Sequence, residues 1–183
     1  MPGDAFYDAG ALKQIAVNLF YGWGYNFYRA ENQLRADDQL VRSKAASLLG
    51  NAMASVDAAE NAYRREFLPA PTRAKPFPDV AAVEAAQKLE RLARAIGALE
   101  ASIQQQPVPE NDRMTQRYRQ EAQTLQVLMG HDERLVGQCE LVRTMVNGLD
   151  GGAILKIVPD LEAGLEAIRA TLHSRANVLL GPV

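Results

Sequence analysis

The residues best suited to chemistry lie close together near the N-terminus, in the segment NLFYGWGYNFYRAENQLR that runs from Asn18 to Arg35. On a helix, residues spaced by three and four share one side, and this spacing aligns three phenol groups, an amide and a guanidinium. The aligned residues are Tyr21, Tyr25, Tyr28, Asn32 and Arg35, with Trp23 and Glu31 beside them. A guanidinium pairs with carboxylates or phosphates, while tyrosines stack and donate hydrogen bonds. The segment therefore predicts a binding surface.

Three interpretations of this segment remain open. Tyr, Trp and Arg are favoured anchors of protein interfaces, so the segment could dock a protein partner or a second copy of the chain. The same groups could line a pocket for a small anionic or aromatic ligand. The plainest alternative is a half-buried helix face whose hydroxyl groups reach water. Gly22 and Gly24 would let another backbone or a ligand approach closely, although each costs a helix interior up to ~1 kcal/mol relative to alanine.

A second candidate site is the pair His131 and Asp132, because the carboxylate interrupts an apolar seam. The seam has heptad-like spacing and comprises Leu125, Leu128, Asp132, Leu135, Cys139, Val142, Val146 and Leu149. A carboxylate there must be paired or exposed, because an isolated buried charge is strongly unfavourable. A seam that drifts by one position would put Asp132 at an edge. Otherwise Asp132 sets the helix register or lines a pocket, where His131 and Asp132 could act as acid and base.

The sequence does not contain the motifs of the common catalytic, nucleotide-binding and metal-binding sites. The chain has no GxSxG elbow, Walker glycine loop or GxGxxG turn. His131 and His173 follow leucine and alanine at minus three, so the Glu-x-x-His motif of di-metal bundles is missing. The single cysteine, Cys139, cannot form an internal disulfide and lies on the apolar seam, which predicts a buried, unreactive thiol. We expect no metal and no cofactor, and the sequence favours a non-enzymatic protein.

The charge balance indicates which class of partner to expect, and the N-terminal residues indicate which cellular compartment. Twenty basic and 22 acidic residues give a net charge of -2, so we expect no nucleic-acid partner. A small basic cluster, Arg64, Arg65, Arg73 and Lys75, is typical of a solvated helix end. The first residues do not resemble a secretory signal, and the most apolar window, residues 11–30, contains too many polar residues to span a membrane. With the lone cysteine, these features predict a cytoplasmic protein.

Apolar residues recur at spacings of three and four almost throughout the chain, which predicts an all-α fold. Proline- and glycine-rich breaks at 68–79, 106–112 and 147–160 leave four long helical stretches. The first, from about Asp4 to Phe67, is too long for one helix and must break at Asp37, which we favour as an N-cap, or at Gly22 and Gly24. Asp79 is expected to cap the next helix, and Pro159 to stand in the first turn of the last.

The sequence thus predicts a single domain over residues 1–183, an antiparallel bundle of four or five helices with heptad-like seams. Eight of the 12 aromatic residues lie in the first 28 positions, so the remaining core must be aliphatic. The function expected first is that of an interaction or assembly protein that docks a partner through its aromatic first helix. The alternative is a small-molecule-binding or catalytic bundle. Monomer and coiled-coil dimer both fit the seams.

Overall fold

The computed structural model describes residues 5–21, 34–73, 75–106 and 121–180, with side chains except at 21, 34–38, 121–126 and 179–180. This part of the chain forms five helices and no strands. The helices are α1 (Ala9–Tyr21), α2 (Leu34–Phe67), α3 (Val80–Gln104), α4 (Glu121–Val146) and α5 (Gly151–Leu180). They pack on one another as a bundle, so the predicted all-α bundle is confirmed.

Contacts between side chains fix the directions of the helices. Arg42 near the start of α2 reaches Gln104 at the end of α3, and Arg64 near the end of α2 meets Glu90 of α3, so these two helices are antiparallel. Helices α4 and α5 are joined by the short turn 147–150 and pack on each other, and Asp132 near the middle of α4 meets Arg175 late in α5, so this pair is antiparallel too.

The start of α5 shows how these two hairpins combine. A Cβ added to Gly151 would touch Tyr63 and Leu89, so α5 begins beside the end of α2 and the first half of α3. Helices α2 and α4 therefore run in the same direction, and they pack side by side.

The predicted apolar seams form the core. In α3, all the buried residues except Ala93 recur at spacings of three and four, from Ala82 to Ile103. In α2, Leu49, Ala52, Val56 and Ala59 are buried and Tyr63 is partly buried, and the buried stripe of α5 is Leu161, Leu165, Ile168 and Leu172. In α4, Leu135, Cys139, Val142 and Val146 are fully buried, whereas Leu149 lies beyond the helix and is partly exposed. The described core contains only two buried aromatic residues, Phe6 and Phe20.

Two predicted helix boundaries are wrong. Asp37 lies inside α2, three residues after its first residue, and so it does not cap a new helix. Gly22 and Gly24, the other predicted break, lie outside the described residues. Pro159 lies in the interior of α5 and not in its first turn. The proline is exposed, and the residues before it, from Ile154 to Val158, pack on the core, which extends the helix backwards to Gly151.

The observed caps explain where the helices begin and end. Asp79 caps α3 as predicted, since its Oδ1 accepts a 3.0 Å hydrogen bond from the amide of Ala81. Asp150 does the same for α5, accepting a 2.8 Å bond from the amide of Ala153. Gly148 follows α4 with a φ of 73°, a left-handed conformation that favours glycine and ends the helix. The break before α5 is thus this four-residue turn, not the proline.

The described helices include none that combines the length and the apolar character needed to cross a membrane.

Candidate binding site at the polar end of the bundle

Most buried polar side chains lie towards one end of the bundle, which we call the polar end. It is formed by the first halves of α2 and α4 and the second halves of α3 and α5. The buried polar residues there are Arg42, Asp132, Glu133, Thr171 and Arg175. Gln138 lies near the middle of the bundle and Glu60 lies in the other half. The interior of the opposite end, where the turn 147–150 joins α4 to α5, is mostly aliphatic, and its buried Glu60 pairs with Arg64.

The centre of the polar end is a buried ion pair between α4 and α5. Arg175 Nε lies 2.5 Å from Asp132 Oδ1, and the two side chains are 3% and 0% exposed. The predicted seam therefore does not drift, and Asp132 does not lie at an edge. It occupies a core position and is paired, as burial of a carboxylate requires.

His131 and Arg134 lie beside this ion pair on α4. Burial lowers the pKa of His131, the positive charges of Arg134 and Arg175 lower it further, and Asp132 opposes them. The imidazole is therefore biased towards its neutral form. The Nε of Arg134 is buried and has no hydrogen-bond acceptor among the residues that the structure describes. A buried donor without an acceptor is uncommon in folded proteins, because leaving it unpaired costs free energy.

Helix α1 attaches to α4 beside these groups. Lys13 Nζ lies 3.5 Å from Glu133 Oε2, and Gln138 Nε2 donates a 2.9 Å hydrogen bond to the carbonyl oxygen of Phe6. The Oε1 of Gln138 is buried without a hydrogen-bond partner in the described part of the chain. Because residue 6 meets residue 138 and residue 13 meets residue 133, α1 runs antiparallel to α4. The end of α1 and the start of α2 therefore both lie at the polar end.

Two glycines let α1 and the preceding turn pack this closely. A Cβ on Gly137 would overlap the backbone of Leu12, and a Cβ on Gly164 would lie 2.6 Å from the ring of Phe6. Backbone of α1 thus lies directly against α4, and the ring of Phe6 lies against α5. The contact is specific in geometry, since no larger residue fits at either glycine.

Arg42 closes the polar end on its other side. Its Nη1 donates hydrogen bonds to the carbonyl oxygens of Gln104, at 3.3 Å, and Gln106, at 2.8 Å. A cation at the C-terminus of a helix satisfies free carbonyl groups and opposes the negative end of the helix dipole. The role of Arg42 is therefore to anchor the end of α3 to α2.

The predicted site residues divide between described and undescribed parts of the chain. Tyr21 is the last residue of α1 and Arg35 the second of α2, so the two backbones lie at the polar end with His131 and Asp132. The remaining predicted site residues, Trp23, Tyr25, Tyr28, Glu31 and Asn32, lie outside the described residues.

Arg175 was missed by the sequence analysis. It lies one heptad after Ile168 on the seam of α5, and a basic residue on an apolar seam was the available signal.

The structure also bears on the reactivity of Cys139 and on metal binding by the described residues. Cys139 is buried in the core, and burial together with Glu140 raises the pKa of its thiol, as expected for an unreactive cysteine. Within ranges 5–21, 34–73, 75–106 and 121–180, no group of three or more His, Cys, Asp or Glu side chains is arranged to hold a metal ion.

Comparisons of the chain with family models, curated proteins and solved structures find no match.

Proposed function

We propose that this chain is a non-enzymatic interaction protein, a helical bundle that docks a protein partner or a second copy of itself through its aromatic-rich first helix. The observation that carries the proposal is the aliphatic core. Among the described residues, only Phe6 and Phe20 contribute buried aromatic rings. A core filled in this way has little need of the Tyr/Trp/Arg set, and those residue types are the usual anchors of interfaces.

The position of α1 supports the same proposal. Helix α1 packs along α4, and its Ala16 and Phe20 join the core that α2 to α5 share. Its outward residues are exposed, among them Ala11, Gln14 and Asn18, and Tyr7 just before it is 65% exposed. A partner could therefore reach this helix without opening the bundle. We also keep the cytoplasm as the proposed compartment and propose no nucleic-acid partner, on the composition of the sequence.

Native mass spectrometry of the freshly purified protein tests this proposal. A variant with Tyr21, Tyr25 and Tyr28 changed to Phe and with Arg35→Ala removes the hydroxyl groups and the cation of the predicted surface. A control away from this surface changes Tyr63 to Phe with Arg169→Ala. We expect a dimer or a co-purifying protein that is present in the control and lost in the variant. A bare monomer in all three samples, with unchanged partners in pull-down experiments, would count against the proposal.

A second candidate function is small-molecule binding at the polar end. The observation that favours it is the pair of unsatisfied buried atoms, Arg134 Nε and Gln138 Oε1, on the helix that also carries His131 and the Asp132–Arg175 pair. Such atoms would gain hydrogen bonds from a polar ligand. Thermal-shift screening tests this candidate, because a ligand at a hundred times its dissociation constant adds about 2.7 kcal/mol of stability. Screens that saturate without any shift would exclude the compounds tested, and a bound mass lost in Arg134→Met would support the candidate.

A further inference from the structure

The end of the bundle opposite the polar end carries exposed apolar side chains. They lie where α2 ends and α3 begins: Phe77 is 84% exposed, Val80 is 70% exposed and Phe67 is 47% exposed. Soluble domains tolerate single exposed apolar residues, but several within one short segment mark an interaction surface. The ring of Phe67 packs on Tyr63 with a centroid distance of 4.5 Å, whereas Phe77 and Val80 have no place in the aliphatic core, so packing does not explain the exposure of those two.

Basic residues accompany these apolar groups. The segment 64–80 contains four basic and two acidic residues, a net charge of +2 in a chain whose net charge is -2. Arg64 is held by Glu60 and Glu90, whereas Arg65, Arg73 and Lys75 are exposed. Glu66 and Asp79, which caps α3, oppose these three exposed cations, so the cations still outnumber the acids. This combination favours a negatively charged binding surface.

The loop presents Phe77 in a restrained conformation. Pro76 and Pro78 flank it, and proline fixes the backbone φ near -65°. Thr72 and Lys75 exchange backbone hydrogen bonds of 3.0 and 3.1 Å, which closes a turn just before the Lys-Pro-Phe-Pro sequence. Restraint of this kind lowers the entropy lost when the loop docks.

We propose that this surface, defined by Arg65, Phe67, Arg73, Lys75, Phe77 and Val80, docks the bundle peripherally on an anionic phospholipid bilayer. The apolar side chains lie in a connecting loop and at two helix ends, and basic side chains lie near them in the sequence. A bilayer accepts such groups because its interface takes up apolar side chains while its anionic headgroups attract Lys and Arg. The docking needs no spanning helix. It uses the opposite end of the bundle from the proposed partner surface, so either proposal can fail without the other.

Vesicle flotation with the full-length protein tests the inference. We expect binding to vesicles of phosphatidylcholine mixed with phosphatidylserine, little binding to phosphatidylcholine alone, and release as salt increases. Phe77→Ala should weaken binding by more than about tenfold, because it removes an inserted aromatic group. Arg73→Gln with Lys75→Gln should weaken binding by about 25-fold, since each cation near such a surface contributes about fivefold.

Matched controls keep the experiment specific. Tyr7→Ala removes another exposed aromatic side chain, and Arg169→Gln removes an exposed cation on the polar half of α5. Both should bind anionic vesicles as the unmodified protein does. All four variants change exposed residues, and unchanged thermal unfolding would confirm that they fold. Equal binding to neutral vesicles, or full binding by Phe77→Ala, would overturn the proposal. No binding to anionic vesicles would overturn it as well and would point to an acidic protein as the occupant.

Discussion

The buried ion pair between Asp132 and Arg175 should be the most sensitive point of the fold. Asp132→Leu puts the residue type that the seam expects at this position, but it removes the carboxylate that lies 2.5 Å from Arg175. The guanidinium side chain is 3% exposed and cannot turn to water without opening the bundle. Breaking a buried pair from one side costs about 3–5 kcal/mol. This is a large share of the roughly 5–15 kcal/mol by which a domain is stable.

Substituting Arg175, alone and together with Asp132, tests whether an unpaired buried charge causes the loss of stability. Arg175→Met should cost a similar amount, because it leaves the carboxylate of Asp132 buried without its arginine. The double variant, Asp132→Leu with Arg175→Met, removes both charges and fills their space with apolar atoms. Replacements of this kind are often neutral or stabilise by about 1–4 kcal/mol. We therefore expect the double variant to be more stable than either single variant by about 3 kcal/mol or more.

Urea unfolding followed by far-ultraviolet circular dichroism measures these differences. For a chain of this size each kcal/mol corresponds to about 2–4 °C in melting temperature, so each single variant should melt about 6–20 °C below the unmodified protein. Arg169→Gln is the matched control, since the Arg169–Glu166 pair is exposed and should be worth about 0–1 kcal/mol. A double variant no more stable than the worse single variant would refute the reasoning, because the loss would then not come from a stranded charge.

Three further predictions concern α4. Gly137→Ala should destabilise the protein by about 1–3 kcal/mol in urea unfolding, because its Cβ would overlap the backbone of Leu12, whereas Gly130→Ala, which meets nothing within 4 Å, should stabilise it by up to about 1 kcal/mol. The lowered pKa of His131 means that the unfolded chain binds its proton more readily, so stability should fall as the pH drops below about 6.5. His131→Gln should remove part of this fall, and equal pH profiles of the unfolding midpoint would contradict it. Cys139 should react with a thiol reagent only as fast as the protein unfolds, and rapid labelling of the native protein would contradict its burial.

The fold class could be predicted from the spacing of apolar residues, because the buried positions recur every three or four residues in every long helix. Leu89, Ile96 and Ile103 of α3 show this well, since a helix that buries one face must place apolar residues at that spacing. Boundaries were harder. Asp37 and Pro159 are both common at helix starts, yet here each lies inside a helix. At Pro159 the apolar residues from Ile154 to Val158 pack on the core, and this burial outweighs the local preference of one proline.

The candidate site was only partly predictable. Asp132 stood out because a buried carboxylate on an apolar seam needs a partner, and in the structure Arg175 pairs with it. The identity of the partner depends on how α5 lies against α4, and no local pattern in the sequence specifies that. Gln138 and Glu133 were missed for the same reason. They look like ordinary outward residues of α4 and become buried only because α1 lies over them.

The division of the bundle into a polar end and an aliphatic end has a consequence for how it opens. A buried ion pair holds α4 at Asp132, while Cys139, Val142 and Val146 hold its last turns by aliphatic contacts. Water that enters the polar end can solvate the separated charges, which lowers the free-energy cost of opening there. Water that enters the aliphatic end contacts apolar side chains, which is unfavourable. Partial unfolding should therefore begin at the polar end and spread towards the turn at 147–150. Amide hydrogens of α4 should exchange with solvent in that order, fastest around Asp132 and slowest around Val142.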